Sequence, residues 1–504
     1  MADTYLKRTP STGATNTKKA TVSWWCKMTG VKDSEQIVFF GNESTNSSSN
    51  HRILFIRQNN VDQGGENLKN GFQVQFQNSS GTDVSSAGCL WLTNFRLNDP
   101  TAWYHIVVAI DTAQGTASDR LKVWINGKRI TDTHVLYNYY PSQNLDFYFF
   151  DNPTGSNSSA PKQYINYGKS GANGGLGRGQ MQMAEIHAID GSVYDETTFG
   201  QFNSTTGEWI PKSVSGLSYG NNGFYLKFNN SSDIGEDSSG NNNDFTTQGT
   251  VKQSVDTPSN LFACFDETTL NSQSWGHTIF NSGTSLSSTS TGSEQWETTP
   301  INLPLKAGKW YFEAKIASTT TLAFVGLCDY VEYSYNISGD ASRYLGDASS
   351  TANRSLGYYT SSGNEGRVWT GAGSYTTTNI ASFGNGDILM IAIDLDNNKF
   401  YTGKNGTWNA SGDPTSGATG TGAQNIAQNT ATTNYHGQVL YSIAAAVRAN
   451  ASGTGTVHFN FGNGRFGSTA VSSATNDGSG FGTFEYTVPS GYYAVCSKNI
   501  ATYG

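Results

Sequence analysis

The fold is decided by two similar stretches, Ile106-Val-Val-Ala-Ile-Asp111 with Leu121-Lys-Val-Trp-Ile-Asn126-Gly127, and Ile388-Leu-Met-Ile-Ala-Ile-Asp394 with Lys399-Phe-Tyr-Thr-Gly-Lys404-Asn405-Gly406. Each stretch is an apolar strand that ends in Asp, a polar turn, an alternating strand and an Asn-Gly pair. Asn-Gly favours the left-handed dihedral angles of a type I′ turn and therefore predicts a hairpin. Because the chain contains this antiparallel unit twice, we expect two all-β domains of related architecture.

The composition favours strands, turns and polar loops over helices. Charged residues make up only 14% of the 504 residues and aromatic residues 12%, whereas about 25% charged residues is usual for a globular protein. The net charge is −8 and no basic run is present, so we expect no nucleic-acid partner. The longest apolar runs, Ile388–Ile393 and Ile443–Val447, are too short to cross a bilayer, and we expect no membrane insertion. The N-terminal residues have no apolar signal core, so we expect no secretory export.

The cysteines are scattered and odd in number, at Cys26, Cys89, Cys264, Cys328 and Cys496. None forms a Cys-x-x-Cys pair. We therefore expect small buried apolar side chains and not a disulfide framework or a metal site.

Short strands separated by polar loops, without a sustained helical periodicity, predict an all-β chain of antiparallel sheets packed face to face. We place the first β-sandwich at residues 1–210 and the second at 261–504. Between them, residues 211–260 are expected to form a loop-rich connector with one strand, Gly223-Phe-Tyr-Leu-Lys-Phe228. The fold class predicted is all-β, with two antiparallel sandwiches, and the resemblances described next imply that both are concanavalin-like and of the jelly-roll type.

The second region resembles a SPRY domain, which is itself a concanavalin-like sandwich. The resemblance covers about 200 residues and is carried, in the family's order, by Gly308-Lys-Trp-Tyr-Phe-Glu-Ala-Lys315, Phe324-Val-Gly-Leu-Cys328, Ser355-Leu-Gly-Tyr-Tyr359, the strands around Asp387–Gly406, and Val457-His-Phe-Asn-Phe-Gly462. The chain departs from this pattern by a long insertion at 407–436, directly after the Asn-Gly hairpin.

The first region resembles laminin-G/concanavalin-like domains through Trp103–Asp111 and Leu121–Gly127. A longer series resembles a family of bacteriophage virion proteins in which a laminin-G-like domain precedes a SPRY-like domain: Met183–Gly191, Gly207-Glu-Trp-Ile-Pro-Lys212, Asn222–Phe228 and Asp237-Ser-Ser-Gly-Asn-Asn-Asn-Asp-Phe245. This resemblance implies a location on the virion, and it leaves open whether head or tail carries the protein.

Sandwiches of this type also include polysaccharide-cleaving enzymes, which carry recognisable catalytic patterns on their strands. The Glu-x-Asp-x-x-Glu strand of sandwich glycoside hydrolases, which places its carboxylates on one face, is absent. Glu185-Ile-His187 is only weakly similar to the Gln-x-His strand of lyases, and we expect His187 to be an ordinary strand residue. Gly216-Leu-Ser218-Tyr-Gly220 and Gly462-Asn-Gly-Arg-Phe-Gly467 fit the nucleophile-elbow and dinucleotide patterns, but no helix is predicted after either.

No metal site and no cofactor are predicted. Asp394-Leu-Asp396-Asn-Asn398 lacks the number of oxygen ligands and the distal Glu of a calcium loop, and we interpret it as the turn between paired strands. Calcium at a loop end remains an alternative, because laminin-G-like folds sometimes bind it there.

Two aromatic groups are candidate contact sites. A loop after the Phe324–Cys328 strand is the predicted ligand-binding site, because Tyr and Arg in loops suit sugar stacking or protein hot spots; it contains Tyr330, Tyr333, Tyr335, Arg343 and Tyr344. Packing within the domain is the alternative. The second group is predicted to contact another subunit and contains Tyr137, Tyr139, Tyr140, Phe147 and Phe149.

Together these features predict a non-enzymatic virion surface protein that binds a host-surface glycan or receptor as the tip of a tail fibre or spike. A capsid-decorating head spike with a structural role is the alternative, and a polysaccharide depolymerase is a less favoured one. The partners expected are other virion proteins and further copies of the chain, with a trimer as the working assumption, since many weak sites gain avidity.

Overall fold

The computed structural model describes residues 4–30, 36–43, 53–57, 62–63, 66–67, 71–76, 89–131, 135–147, 149–150, 162–166, 176–177, 180–266, 270, 276–289, 296–319, 321–330, 344–346, 355–360, 365–370, 373–426, 440–449 and 453–504. These residues form two compact units, Met1–Gln253 and Ser254–Gly504. The described parts of both units are built from sheets that are antiparallel except for the pairing of Leu176–Gly177 with Gln36–Glu43, so the chain has the all-β fold that the sequence predicts.

The first unit contains two large sheets. In spatial order, the first sheet is β12 (Val135–Tyr139), β8 (Cys89–Arg96), β7 (Gly71–Phe76), β4 (Ile53–Arg57), β3 (Gln36–Glu43), β13 (Lys162–Ile165), β1 (Tyr5–Arg8) and β19 (Thr246–Gln248), with β14 (Leu176–Gly177) beside β3. The second is β11 (Lys128–Arg129), β10 (Leu121–Ile125), β9 (Trp103–Asp111), β2 (Lys19–Gly30), β15 (Gln180–Asp190) and β18 (Phe224–Leu226). Short ribbons pair β5 (Asp62–Gln63) with β6 (Glu66–Asn67), and β16 (Gly200–Phe202) with β17 (Trp209–Pro211).

The second unit repeats this plan. One sheet is β20 (His277–Phe280), β21 (Ser285–Thr289), β33 (Thr454–Asn460), β23 (Lys309–Ile316), β28 (Ile388–Asp394), β29 (Lys399–Lys404) and β30 (Thr407–Trp408), with β31 (Gln424–Asn425) beside β29. The other is β22 (Thr298–Pro300), β32 (Tyr441–Ala449), β24 (Thr321–Asp329), β25 (Leu356–Thr360), β26 (Gly366–Trp369) and β27 (Tyr375–Thr376). Two ribbons pair β34 (Arg465–Phe466) with β35 (Thr469–Ala470), and β36 (Thr475–Asn476) with β37 (Thr483–Phe484).

Helices are short. In the part of the chain that the structure describes, they are α1 (Ala117–Arg120), α2 (Ser497–Tyr503) and the 3-10 turns Glu196–Thr198, Asn409–Ser411 and Pro414–Thr419. Within the described residues, no helix has the length and apolarity needed to span a membrane. The five cysteines are all buried, which confirms the prediction that they are small core side chains.

The structure divides the chain after Gln253, within the segment predicted to be a connector. β18 pairs with β15, and β19 pairs with β1, so two strands of that segment extend the sheets of the first unit. β18 lies within the strand predicted at residues 223–228, whereas β19 is only three residues long and was not predicted.

The two predicted Asn-Gly hairpins are confirmed. Asn126 and Asn405 have φ of 50° and 48°, and the glycines after them have φ of 74° and 86°, which are the left-handed dihedrals of a type I′ turn. Each Asn side chain also accepts a hydrogen bond from the backbone N–H at the start of the preceding apolar strand, His105 or Ile388, at 2.8 Å. The two hairpins therefore share their side-chain contacts as well as their turn type.

The aspartates that end the apolar strands also play equivalent roles. Asp111 accepts from the Ala113 N–H at 3.2 Å, and Asp394 accepts from the Asn397 N–H at 2.9 Å. Each lies opposite a lysine at the start of the adjacent strand, Lys19 at 3.5 Å and Lys309 at 3.1 Å. The carboxylates therefore close the turn and pair with a neighbouring cation, which is a structural role.

Both faces of each hairpin sheet are covered. In the first unit, Ile106, Val108 and Ile110 point into the core between the two sheets, while Val107 and Ala109 pack against Phe199 and Tyr219 of the segment 192–219. An apolar run without alternation is typical of a strand that is buried on both sides. The continuous apolar sequence thus reflects a third layer laid over the sandwich.

The second unit has the same third layer. Leu389, Ile391 and Ile393 belong to the core between the sheets, whereas Met390 and Ala392 pack beneath Phe484, Tyr492 and Ala494 from the C-terminal segment. This covering layer and the insertion after β30 form the walls of the site described next.

Candidate functional site

The predicted aromatic loop is only partly described. Tyr333, Tyr335 and Arg343 lie outside the described residues. Tyr330 is half-buried and its N–H donates to the Leu440 carbonyl at 2.7 Å. Tyr344 stacks on Phe324 with ring centroids 4.7 Å apart and contacts Trp369 edge-on at 5.5 Å. Tyr344 therefore packs against the outer face of the sheet that contains β24.

The predicted subunit-contact aromatics separate into core and surface residues. Phe147 and Phe149 are 4% and 2% exposed and belong to the core of the first unit, so they offer no surface to another subunit. The described residues around them, 141–147 and 149–150, form a loop and not a strand, and both side chains point into the core. Tyr140 packs against the same core. Tyr137 and Tyr139 stack on each other at 6.2 Å on the edge strand β12, and Tyr139 is 47% exposed.

A pocket in the second unit lies beside the Asn405-Gly406 hairpin, and we call it the hairpin pocket. Its volume is about 410 Å³, and its lining residues are Met390, Gly406, Trp408, Gly412, Asp413, Pro414, Thr415, Tyr486, Thr487 and Pro489. A volume of about 300–1,000 Å³ with apolar walls and a few polar groups is usual for a small-molecule site. Sequence reasoning placed the insertion at 407–436 but did not identify it as a pocket wall.

The insertion is held in place by local hydrogen bonds. The Asp413 carboxylate caps the following 3-10 turn by accepting from the Thr415 N–H at 2.9 Å and the Thr415 hydroxyl at 2.6 Å. Pro414 is buried, and its carbonyl accepts from the Tyr492 hydroxyl at 2.9 Å. The wall of the pocket is therefore fixed both within itself and to the C-terminal segment.

Two aromatic side chains line the pocket from opposite segments. Trp408 follows the hairpin and meets Tyr311 edge-on at 6.3 Å. Tyr486 comes from the C-terminal segment and its ring lies against the Gly406 main chain, where an added Cβ would be 3.2 Å away. The Gly406 N–H donates to the Met390 sulfur at 3.1 Å, so the hairpin tip also rests on the pocket floor.

The electrostatics of the pocket are acidic. Asp413 is fully exposed at the rim, and its hydrogen bonds from Thr415 lower the pKa of the carboxyl group. None of the lining residues is Lys, Arg or His. The nearby Lys399 and Lys404 ammonium groups instead bind the Asn425 side chain and the Ser382 carbonyl. The pocket therefore presents hydroxyl groups, aromatic rings and one carboxylate to a ligand.

The first unit has a corresponding aromatic contact at its own Asn-Gly hairpin. Trp209 lies so close to Gly127 of the first hairpin that an added Cβ would be 2.3 Å from its ring. The Trp209 indole N–H donates to His105 Nδ1 at 2.8 Å. In both units, an aromatic from the covering layer thus rests on the hairpin glycine.

A buried Ser23–His105 pair lies beneath that tryptophan, with Oγ and Nε2 2.9 Å apart. Burial, with a smaller contribution from His187, lowers the pKa of His105 to about 3, so the ring is neutral. Because an indole N–H can only donate, Nδ1 is the acceptor and the single ring proton is on Nε2. Nε2 therefore donates to Ser23 and cannot act as its general base.

His187 is also buried. Its Nδ1 lies 2.7 Å from the Tyr219 hydroxyl and its ring stacks on Tyr225 at 4.0 Å, while burial lowers its pKa to about 3. Glu185 lies at a bulge with φ of 48° and accepts a hydrogen bond from Tyr225. The two residues of the lyase-like pattern are thus brought together, but His187 is covered by aromatic rings.

The nucleophile-elbow and dinucleotide patterns do not precede a helix either. Ser218 lies in a loop, and a two-residue strand follows Gly464.

Among the described residues, no three His, Cys, Asp or Glu side chains are grouped to hold a metal ion. The turn at residues 394–398 was the alternative calcium site. Its Asp394 carboxylate accepts hydrogen bonds from Asn397 and pairs with Lys309. Asp396 accepts a hydrogen bond from the Gly308 N–H at 2.8 Å. Asp237 accepts hydrogen bonds from Tyr225, Ser239 and Asn243. These carboxylates are occupied by protein donors.

Comparison with known proteins defines the class of the first unit. Residues 2–161 match the Laminin_G_3 family, described as the concanavalin A-like lectin/glucanases superfamily. The first unit therefore contains a concanavalin-like domain, which agrees with the resemblance identified from its sequence. No curated protein matches the chain.

Several solved structures are similar to parts of the chain. The SPRY domain of human HERC1 is 14% identical with a TM-score of 0.24 and covers 36% of this chain and 91% of its own. The TRIM65 PSpry domain is 14% identical with a TM-score of 0.24 and covers 39% and 91%. The heptameric SAP-like pentraxin from Limulus polyphemus is 12% identical with a TM-score of 0.24 and covers 38% and 72%.

Proposed function

We propose that this protein is a non-enzymatic carbohydrate-binding protein and that the hairpin pocket of its second unit takes a neutral sugar. The observation that carries the proposal is the pair Trp408 and Tyr486 lining a pocket that also contains Asp413, Thr415 and Thr487. Aromatic rings cover the apolar faces of a sugar, while hydroxyl and carboxylate groups bind its hydroxyls.

The charge of the pocket favours neutral over acidic sugars. Asp413 is ionised at neutral pH, and no lining residue carries a positive charge. A uronate or sialic acid carboxylate would approach a like charge, which is unfavourable at short range and is screened by salt. We therefore expect gluco-, galacto- or manno-configured oligosaccharides to be preferred.

This preference can be measured on a printed array of neutral and acidic oligosaccharides with the full chain. Neutral sugars should bind several-fold more strongly than their uronate analogues. Asp413→Asn keeps an oxygen that can cap Thr415 but removes the charge, so it should reduce that difference by a few-fold at low salt and little at high salt. Equal binding of both classes by the wild-type chain would contradict the proposed ligand class.

On a virion, this binding would serve host attachment as the receptor-binding tip of a tail fibre or spike. The virion location is supported by the sequence resemblance at Met183–Gly191, Gly207–Lys212 and Asp237–Phe245. A single pocket of this kind binds weakly, and several copies per particle would raise the avidity. A capsid-decorating role is the competing proposal, and the absence of whole-cell binding even by multivalent protein would favour it.

Homo-oligomerisation is part of the same proposal. Tyr139 is 47% exposed on the edge strand β12 and stacks on Tyr137, and large exposed aromatics are typical of contact surfaces. Tyr139→Glu should shift an oligomer toward monomer in sedimentation velocity, whereas Tyr375→Glu, at an equally exposed tyrosine of the second unit, should not. An unchanged sedimentation coefficient for Tyr139→Glu would remove β12 from the contact.

The enzymatic alternative is tested by incubating the full chain with host capsular or envelope polysaccharide. Reducing ends report hydrolysis, and unsaturated uronates report lyase cleavage. We expect no turnover, since Ser23 lacks a base and His187 is covered. Catalytic release of either product would overturn the non-enzymatic proposal.

A further inference from the structure

Glu313 is a fully buried carboxylate in β23, and it lies next to the floor of the hairpin pocket. It is 0% exposed and stands opposite Met390 in the sheet. The hydrogen bonds to its two oxygens come from the Tyr311 hydroxyl at 3.0 Å and the Asn460 side chain at 3.2 Å, and from two backbone N–H groups of the covering segment. An unpaired buried carboxylate is costly, and such a group is retained where its acceptor capacity is used.

The two backbone N–H groups belong to Glu485 and Tyr486, at 2.9 and 2.8 Å. Tyr486 is the aromatic residue that lies on Gly406 and lines the pocket. Its carbonyl accepts a hydrogen bond from the Thr475 hydroxyl at 2.6 Å. The segment is therefore held from below by a carboxylate and from the side by a hydroxyl.

We propose that Glu313 is a positioning residue for the hairpin pocket: it touches no ligand, but it fixes the backbone of Tyr486 and so sets the affinity of the site. The expected effect of Glu313 on sugar binding rests on the proposed function. The positioning of Tyr486 itself does not depend on any ligand. The hydrogen bonds from the Glu485 and Tyr486 N–H groups account for a buried carboxylate between Phe312 and Ala314 in β23.

The charge state of Glu313 makes this positioning sensitive to pH. Burial raises the pKa of Glu313 to about 7, although its four hydrogen bonds act in the opposite direction. The groups that face it are Tyr311 on its own strand, Asn460 from β33, Met390 from β28, and Glu485 and Tyr486 above. The Glu485 carboxylate is bonded to Ser472 and not to Glu313. Protonation would place an O–H among donors, so the N–H bonds to the segment weaken below about pH 7.

Stability should respond in the opposite sense. Because the folded pKa of Glu313 is higher than its ordinary value, the native chain holds more protons than the unfolded chain between the two values. The free energy of unfolding contributed by this group therefore decreases as the pH rises through that window. Lowering the pH should therefore weaken the hydrogen bonds to Tyr486 but raise the free energy of unfolding contributed by Glu313. A purely structural role would change the free energy of unfolding without a separate effect on Tyr486.

The test is hydrogen exchange of the Glu485 and Tyr486 amides in the full chain at pH 6 and 8, corrected for intrinsic rates. In the wild type, protection should be higher at pH 8 by up to about tenfold, which is the change in the protonated fraction of a group with a pKa of about 7. Glu313→Gln keeps one acceptor oxygen and replaces the other by an NH2 donor, so it should lower the protection of at least one of the two amides and should remove its dependence on pH. Thr475→Val, the control on the same segment, should lower protection without removing its pH dependence.

Sugar binding supplies the second readout on the printed array of gluco-, galacto- and manno-oligosaccharides. Binding should weaken three- to tenfold from pH 8 to pH 6 in the wild type and be weak and independent of pH in Glu313→Gln. Unchanged protection in Glu313→Gln, or wild-type protection that is independent of pH, would overturn the inference. If Glu313→Gln does not fold, the wild-type pH dependence decides. If the wild type binds no sugar, the proposed function is wrong. The amide protection of Glu485 and Tyr486 still tests whether Glu313 positions this segment.

Discussion

Replacement of Trp408 by alanine is expected to remove most of the sugar binding by the full chain. Trp408 lines the hairpin pocket opposite Tyr486, and an aromatic anchor in a small site contributes about 2 kcal/mol, which is roughly a 30-fold change in Kd. Trp408→Phe keeps a ring of smaller area and should give an intermediate loss. The measurement is equilibrium binding of the strongest neutral oligosaccharide from the array.

The matched control is Tyr375→Ala. Tyr375 is 46% exposed in the same unit but lies on β27 of the other sheet and outside the pocket lining. Its replacement should leave Kd unchanged within about twofold. An equal loss in both variants would move the site to the aromatic face around Trp369 and Tyr375, and retention of binding by Trp408→Ala would exclude the hairpin pocket.

Replacement of Asp394 by alanine should lower the free energy of unfolding of the second unit by about 3 kcal/mol, since it removes a buried carboxylate together with its ion pair and its hydrogen bonds to the turn. The Asp394 side chain is 0% exposed, pairs with Lys309 at 3.1 Å and accepts two hydrogen bonds from Asn397. For a unit of this size, about 3 kcal/mol corresponds to a fall in Tm of roughly 6 °C or more in calorimetry of the full chain.

The equivalent aspartate of the first unit provides the comparison. The Asp111 side chain is 9% exposed, and its partner Lys19 is 41% exposed at 3.5 Å, so this pair is weaker and better solvated. Asp111→Ala should therefore lower Tm less than Asp394→Ala. A larger effect at Asp111 would show that burial does not govern the contribution of these two turns.

The hairpins could be predicted from sequence because their determinants are local. Asn126-Gly127 and Asn405-Gly406 carry the positive φ angles of the turn within two adjacent residues, and both turns are confirmed. The alternating and continuous apolar runs likewise predicted strands and an all-β fold, because burial of each strand face is visible in the residue order.

The hairpin pocket could not be predicted in the same way. Its lining comes from β28, from the hairpin glycine Gly406, from the insertion that begins at residue 407, and from the C-terminal residues Tyr486, Thr487 and Pro489. Only the tertiary fold brings these segments together. The predicted binding loop was chosen for its aromatic content, but a run of aromatics does not distinguish packing from binding. Tyr344 packs on Phe324, and Phe147 and Phe149 are core residues.

The same limit applies to Glu313. The sequence shows a carboxylate between Phe312 and Ala314. Its positioning role depends on hydrogen bonds from the Glu485 and Tyr486 N–H groups, which are distant in the chain. The contact of Trp209 with Gly127, and of Tyr486 with Gly406, is long-range for the same reason. Repetition of the hairpin was visible in the residues, whereas the aromatic laid over each hairpin was not.

The most direct test of the central claim is a hydrogen-exchange footprint of the full chain with and without a bound neutral oligosaccharide. Binding in the hairpin pocket predicts added protection at 405–415 and 484–489 and little change elsewhere in the described residues. Protection confined to the first unit, or to the aromatic face around Tyr344, Trp369 and Tyr375, would contradict this account.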